Sequence, residues 1–140
     1  MEFPGLIGVG LYRLGEWLRT APLAALGPLF GMVGADIALD LSRGRLAHAG
    51  VELVIAPALA VSMVAVAQQV KGGMSGHLMF VVGTISAMGA TSLLALGIAH
   101  GSSVPLVVGL RHATVAAYAW ASVATEPPPR RGLVLSPVGA

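Results

Sequence analysis

The side chains best suited to chemistry lie inside apolar sequence. Arg111 and His112 are adjacent in the stretch VVGLRHATVAAYAW, and the nearest charged neighbours along the chain are Lys71 and Glu126. An ionisable side chain at the centre of a membrane-spanning helix costs at least about 2.5 kcal/mol, so such residues usually face the interior of a helix bundle and find a partner there. A counter-charge for Arg111 is therefore expected elsewhere in the chain.

An acid at matching depth is available in an earlier apolar stretch. Arg111 lies about eight residues, or about 12 Å, inside its predicted span, and Asp36 lies about five residues, or about 8 Å, inside another. Their opposite signs predict an intramembrane Asp36–Arg111 pair. Asp40 lies one turn from Asp36 on the same helical face, so these acids repel unless a cation lies between them or one is protonated. The predicted polar cluster, gathered in the outer half of the membrane, comprises Asp36, Asp40, Glu52, His100, Arg111 and His112.

This predicted cluster is compatible with two roles. Carboxylates and histidines that line an aqueous vestibule are the usual groups of proton relays, and such a vestibule can also handle another ion or a small polar solute. The pair can instead be structural, because a buried ion pair can fix the register of two helices or dock a helix against another subunit. The sequence leaves both roles open.

Long, mostly apolar runs place these residues on or beside about four predicted membrane helices. A hydrocarbon core about 30 Å thick needs roughly 20 apolar residues in helical form. The runs, divided at AHGSSVP, give spans at 21–41, 51–70, 78–99 and 103–124. The chain is 56% hydrophobic and only 10% charged, whereas ordinary soluble domains are about 25% charged. The predicted fold class is all-α, a small polytopic membrane helix bundle.

The segments on either side of the bundle are interpreted as peripheral. Residues 1–20 place leucines on one helical face and charges on the other, which predicts an amphipathic interfacial helix or a cap over the bundle. Residues 21–124 form the bundle, and the proline-broken tail 125–140 is predicted to be extended. The leucine face comprises Leu6, Leu11, Leu14 and Leu18, joined by Trp17.

The distribution of basic residues predicts the orientation. With four spans, only Arg43 and Arg45 lie opposite the termini, which predicts cytoplasmic termini in the inner (plasma) membrane. A three-span alternative weakens this asymmetry. The basic residues on the side of the termini are Arg13, Arg19, Lys71, Arg130 and Arg131.

Small residues on one face of the third span predict close helix packing, because tight contacts in lipid favour them. The same face could line a narrow pore. Its members are Gly83, Ala87, Ala90, Leu94 and Gly97, with Ser86 and Gly89 beside them.

Several other classes of protein lack sequence support. The absence of cysteine excludes disulfides and thiolate metal sites, and a net charge of +2 without a basic stripe argues against nucleic-acid binding. No nucleophile elbow or acid–base pair indicates an enzyme. A haem is a minor alternative, because His100 and His112 lie at different depths, so we expect no cofactor. No histidine pair has the i,i+4 spacing of a helical metal site.

A soluble β/α protein of an obligate assembly is the competing fold. VELVIA, HLMFVVGT, VPLVVGL and GLVLSPV look like buried parallel strands. The segments between them lack the charged face that a helix covering a soluble sheet needs. The sequence therefore favours a small channel or transporter-like component in the lipid bilayer, working as a homo-oligomer or with other membrane subunits. A non-catalytic anchor or accessory subunit of a larger membrane enzyme is the alternative.

Overall fold

The computed structural model describes residues 1–69 and 73–128, which form helices joined by short connections. No strand occurs in these two ranges, so the all-α prediction is confirmed. The β/α alternative is wrong for the three strand-like segments that they include, and GLVLSPV lies outside them. The helices are α1 (Gly5–Thr20), α2 (Pro22–Ala25), α3 (Gly27–Ser42), α4 (Leu46–Gln69), α5 (Met74–His100) and α6 (Ser103–Val123).

Four segments of the described chain are long and apolar enough to cross a membrane. They are Pro22–Ser42, Leu46–Gln69, Met74–His100 and Ser103–Val123. Each overlaps one of the four predicted spans, and the fold is compatible with a membrane protein. The crossing of a membrane by these helices and their orientation in it stay predictions.

The turn between α3 and α4 is shorter than the sequence predicts. α4 begins at Leu46 instead of residue 51, because Gly44 has φ 71°, a left-handed conformation that favours glycine. The backbone N–H groups of Arg43 and Arg45 both donate to the carbonyl oxygen of Asp40. This tight turn places His48 on α4.

α6 is the central helix and contacts α1, α3, α4 and α5. α5 packs antiparallel against it through close approaches at glycine. Gly83 contacts the Trp120 ring, and a Cβ atom at Gly97 would lie 2.7 Å from Leu106 Cγ. Gly83, Gly97 and Ala90 are all buried, so the predicted packing face is confirmed at these positions, and α6 rather than a pore occupies it.

The bundle has two ends with different chemistry. We call the end that contains residues 43–45 and 101–102 the turn end, and the opposite end, where the Met1 ammonium donates to the Val123 carbonyl oxygen, the terminus end. The core between them is apolar. It includes Leu18, Leu29, Val33, Met63 and Val115.

α1 is helical as predicted and packs against α4 and α6. It buries Leu11 and Leu18 together with Gly8 and Gly15. Leu6 of the predicted leucine face is 77% exposed, so the leucines of this face are not all in the core. Gly15 lets the backbone of α1 approach the backbone of α6 closely at Ala121. An interfacial position of α1 stays a prediction.

The extended tail and the charge asymmetry fall largely outside the described residues. Residues 125–128 are not helical, and the rest of the predicted tail lies beyond the described chain. Lys71, Arg130 and Arg131, on which the predicted orientation depends, also lie outside it. The prediction of cytoplasmic termini therefore stays a prediction.

The junction between α2 and α3 is tied to α6 by a buried hydroxyl. Pro28, which has no N–H to donate, lies in the first turn of α3. The Tyr118 hydroxyl donates a hydrogen bond to the carbonyl oxygen of Ala25, just before the junction. Buried hydroxyls normally have such a partner, and this one fixes the first candidate span against the central helix.

Loss of this hydrogen bond gives a small, specific prediction. Tyr118→Phe keeps the ring and removes the donor, so we expect it to lower the free energy of unfolding by about 0.5–1.5 kcal/mol. Tyr12→Phe is the matched control, because the Tyr12 hydroxyl makes no hydrogen bond within the described chain. The free energy of unfolding of both variants is measured in mixed detergent micelles. Equal stabilities would show that the Ala25 contact contributes nothing.

Candidate functional site at the turn end

A charged cluster joins three helices near the turn end. Arg111 Nε on α6 donates a hydrogen bond of 2.8 Å to Asp36 Oδ2 on α3. Arg111 Nη2 lies 2.8 Å from Glu52 Oε1 on α4. We call these three residues the triad. The two side chains that the sequence pairs are therefore in contact, and Glu52 supplies a second carboxylate to the same guanidinium.

The triad is buried and holds more negative than positive charge. The Asp36 side chain is 1% exposed, that of Arg111 13% and that of Glu52 15%. An arginine stays protonated in proteins, so two ionised carboxylates leave one excess negative charge. Asp36 Oδ1 is buried and has no hydrogen-bond partner in the described residues. A buried charge without compensation is costly, so the site favours a proton or another cation.

A second ion-pair group lies one helical turn nearer the turn end. Asp40 Oδ2 contacts His48 Nδ1, and Asp40 Oδ1 lies 3.5 Å from Arg45 Nη1. The Asp40 side chain is only 5% exposed, whereas those of His48 and Arg45 are about half exposed. The two acids of α3 thus have different basic partners instead of sharing one cation.

The remaining residues of the predicted cluster make no bond to the triad. His112 points about 100° around α6 from Arg111, and its ring packs over Gly89 of α5, where a Cβ atom would lie 3.6 Å from Nδ1. That Nδ1 is buried without a partner in the described ranges. His100 ends α5, exposed, with no ion pair to any described residue.

Sequence reasoning missed His48 and Arg45 as partners of Asp40. The predicted spans 21–41 and 51–70 leave a longer connection between them, so the sequence places both residues outside the spans. The available signal was the four-residue separation of His48 and Glu52, which puts both on one face if α4 begins early enough.

Metal and haem binding find no support in this geometry. The described residues contain no group of three or more histidine or acidic side chains arranged to hold a metal ion. His100 and His112, the two histidines weighed for haem, lie at the end and in the interior of different helices. The expectation of no cofactor stays an expectation.

A pocket of about 550 Å³ lies at the terminus end. Glu16 in its lining is paired with Arg19, whose guanidinium lies 5.8 Å from the centre of the Tyr12 ring. The Met1 ammonium, also in the lining, donates to a backbone carbonyl. Glu126 and His77 also line this pocket. None of its charged residues is as buried as Asp36, which is 1% exposed, so the triad is the stronger candidate site.

The triad and the Asp40 group are the features from which a function can be argued. They combine buried carboxylates, an arginine and a half-exposed histidine within one end of an apolar helix bundle. Comparisons with protein-family models, with curated protein sequences and with solved structures find no match to this chain.

Proposed function

We propose that this chain is a small polytopic membrane protein that works as a channel or transporter-like component, and that the triad binds the proton or small cation it handles. It works as a homo-oligomer or inside a larger membrane complex, in the inner (plasma) membrane with cytoplasmic termini. The observation that carries the proposal is one guanidinium bonded to two carboxylates between three apolar helices.

The charge balance of the triad is the reason to expect an ion. Ionisable residues within membrane spans are rare and mark ion pathways and proton relays. A simple ion pair has one acid for one base, whereas Arg111 has Asp36 and Glu52. Asp36 is almost fully buried, so Glu52 is the carboxylate that can exchange an ion with water.

The apolar core favours a gated component over an open pore. Between the triad and the terminus end, buried Val33 and Leu29 on α3 face a core that also includes Met63 and Val115. Within residues 1–69 and 73–128, charged side chains therefore approach the triad from the turn end only. Movement of an ion to the other side requires a rearrangement of helices or a path shared with another subunit.

The exposed face of α5 supports work in an assembly or in lipid. Ile85 and Met88 are both more than half exposed, and Ile98 is 75% exposed. Large contiguous apolar surfaces mark contacts with membranes or other proteins. A chain of 140 residues is also too short to enclose a wide solute path alone.

A non-catalytic anchor is the second candidate function. The triad connects α3, α4 and α6, and a three-helix connection of this kind can serve only to fix their register. In an anchor, the charge balance would matter for assembly and not for ion movement. Flux and stability measurements on the same variants separate the two functions.

The proposal is tested by ion flux in liposomes. The purified protein is reconstituted, a membrane potential is imposed, and dyes inside the liposomes report protons, sodium or potassium. We expect flux of one of these ions above that of protein-free liposomes, and its loss in Glu52→Gln and Asp36→Asn. Glu2→Gln, the same change at an exposed acid, is the matched control and is expected to keep wild-type flux.

Two results would reject this function. Wild-type flux at the level of empty liposomes would favour the anchor, as would unchanged flux in both triad variants. A prior extraction test checks the membrane assignment itself. If carbonate releases the chain from membranes, or if it remains soluble without detergent, the membrane assignment is wrong.

A further inference from the structure

We infer that protons reach the triad from the turn end through His48, held by Asp40, and that the ion handled by this chain is therefore the proton. The inference rests on the proposed function and deepens it, because it names the ion and a route. His48 lies outside the triad and is not needed to balance its charge.

The two ion-pair groups form a ladder between α3 and α4. Asp36 and Asp40 are four residues apart on α3, and His48 and Glu52 are four residues apart on α4. Residues at this spacing lie on one face of a helix, about 5–6 Å apart between Cβ atoms. Asp40 contacts His48, and Arg111 connects Asp36 to Glu52. We call the Asp40–His48 contact the outer rung and the contacts of Arg111 with Asp36 and Glu52 the buried rung. The two rungs are one helical turn apart.

The contact with Asp40 sets the chemistry of the His48 ring. A carboxylate accepts hydrogen bonds, so Nδ1 of His48 carries the hydrogen that Asp40 Oδ2 accepts. Nε2 of the neutral ring is then the free proton acceptor. Because the His48 side chain is 46% exposed, water reaches this ring.

The proton transfer balances at each step. A proton from water binds to Nε2 of His48, and the ring becomes an imidazolium with Asp40 as its counter-ion. The imidazolium then releases a proton through a bridging water to the carboxylate of Glu52 and returns to neutral imidazole. Glu52 becomes a carboxylic acid, while Arg111 keeps Asp36 as its counter-ion. One proton removes the excess charge of the triad.

The charged groups around this route favour His48 over its neighbours. Arg45, the other partner of Asp40, cannot release its proton. From α6, Arg111 contacts the two carboxylates of the triad, whereas the His112 ring packs on α5. His100, on α5 near the turn end, is exposed and contacts none of these acids. It is therefore a matched control for a surface histidine at the same end.

The test compares His48→Gln, His100→Gln and Glu52→Gln in proteoliposomes that contain a pH-sensitive dye. An external acid pulse drives uptake. We expect His48→Gln to slow uptake about tenfold, which is less than the roughly 100-fold to 10,000-fold that a positioned proton-transfer group typically contributes, because water still reaches the site. Millimolar imidazole on both sides is expected to restore the rate, measured above the acidification that permeant imidazole itself produces in protein-free liposomes. His100→Gln should behave as wild type, and Glu52→Gln should take up no protons.

The outcomes separate the inference from the proposed function. Loss of uptake in Glu52→Gln with a wild-type rate in His48→Gln overturns the route and leaves the function standing. Slow uptake in His48→Gln that imidazole does not restore shows a structural role and also overturns the route. Unaffected uptake in both Glu52→Gln and Asp36→Asn rejects the function itself. His48→Asn serves as a second variant if His48→Gln does not yield folded protein by size-exclusion chromatography.

Discussion

Arg111→Met is expected to lower the free energy of unfolding by about 3–5 kcal/mol, as when one partner of a buried ion pair is removed. Methionine keeps much of the length of the side chain and removes its charge. Asp36 and Glu52 then remain buried between α3, α4 and α6 without the guanidinium that both contact. Equilibrium unfolding in mixed micelles, followed by the fluorescence of the two tryptophans, measures the loss.

The control and the rescue for this change follow from the triad. Arg13→Met alters an exposed arginine of α1 and should stay within about 0.5 kcal/mol of wild type. Adding Asp36→Asn and Glu52→Gln to Arg111→Met should recover most of the stability, because no buried charge is left. Exchanging Asp36 and Arg111 should not recover the stability, because an acid at position 111 would face Glu52. If Arg111→Met is as stable as Arg13→Met, the triad does not stabilise the fold.

Gly15→Ala and Gly10→Ala are expected to change stability in opposite directions although they lie on the same helix. A Cβ atom at Gly15 would overlap the backbone carbonyl of Ala121 on α6, and neither backbone can yield without separating α1 from the bundle. Overpacking of this kind typically costs about 1–3 kcal/mol. At Gly10 nothing lies within 4 Å, and alanine in a helix interior is favoured over glycine by roughly 0.5–1 kcal/mol.

The free energies of unfolding of Gly15→Ala and Gly10→Ala are measured by the same assay. A second readout is limited proteolysis at the start of the chain, which should increase in Gly15→Ala if α1 detaches and stay unchanged in Gly10→Ala. Equal stabilities for the two variants would mean that α1 does not pack on α6 as closely as the overlap at Ala121 implies.

The helices of this chain could be predicted because hydropathy and helix length are local properties of the sequence. Long runs with few charged residues predict all four candidate spans. Gly83, Ala90 and Gly97 predict the packing face of the third span. The face of α1 could not be predicted in the same way. Leucine content suggested Leu6, whereas burial depends on where another backbone comes close enough to require glycine, and that is a property of the assembled bundle.

The site was predictable in its long-range contact and not in its local one. Counting residues from the helix ends placed Asp36 and Arg111 at similar depth, since the rise per residue is fixed. The contact of Asp40 with His48 depends on a turn only three residues long. Its length is set by Gly44 and by two backbone hydrogen bonds to Asp40, which residue types alone do not reveal.

The order of the helices also has a consequence for biosynthesis. His48 follows Asp40 by eight residues, so this acid meets its partner almost as soon as it is made. Arg111 follows Asp36 by 75 residues, which at about 5–20 residues per second takes roughly 4–15 s of translation. During that interval Asp36 and Glu52 lack their counter-charge. Under the proposed membrane placement, completion of α6 is therefore the step that allows α3 and α4 to settle in lipid, and a chain truncated before residue 103 retains both acids and lacks their arginine.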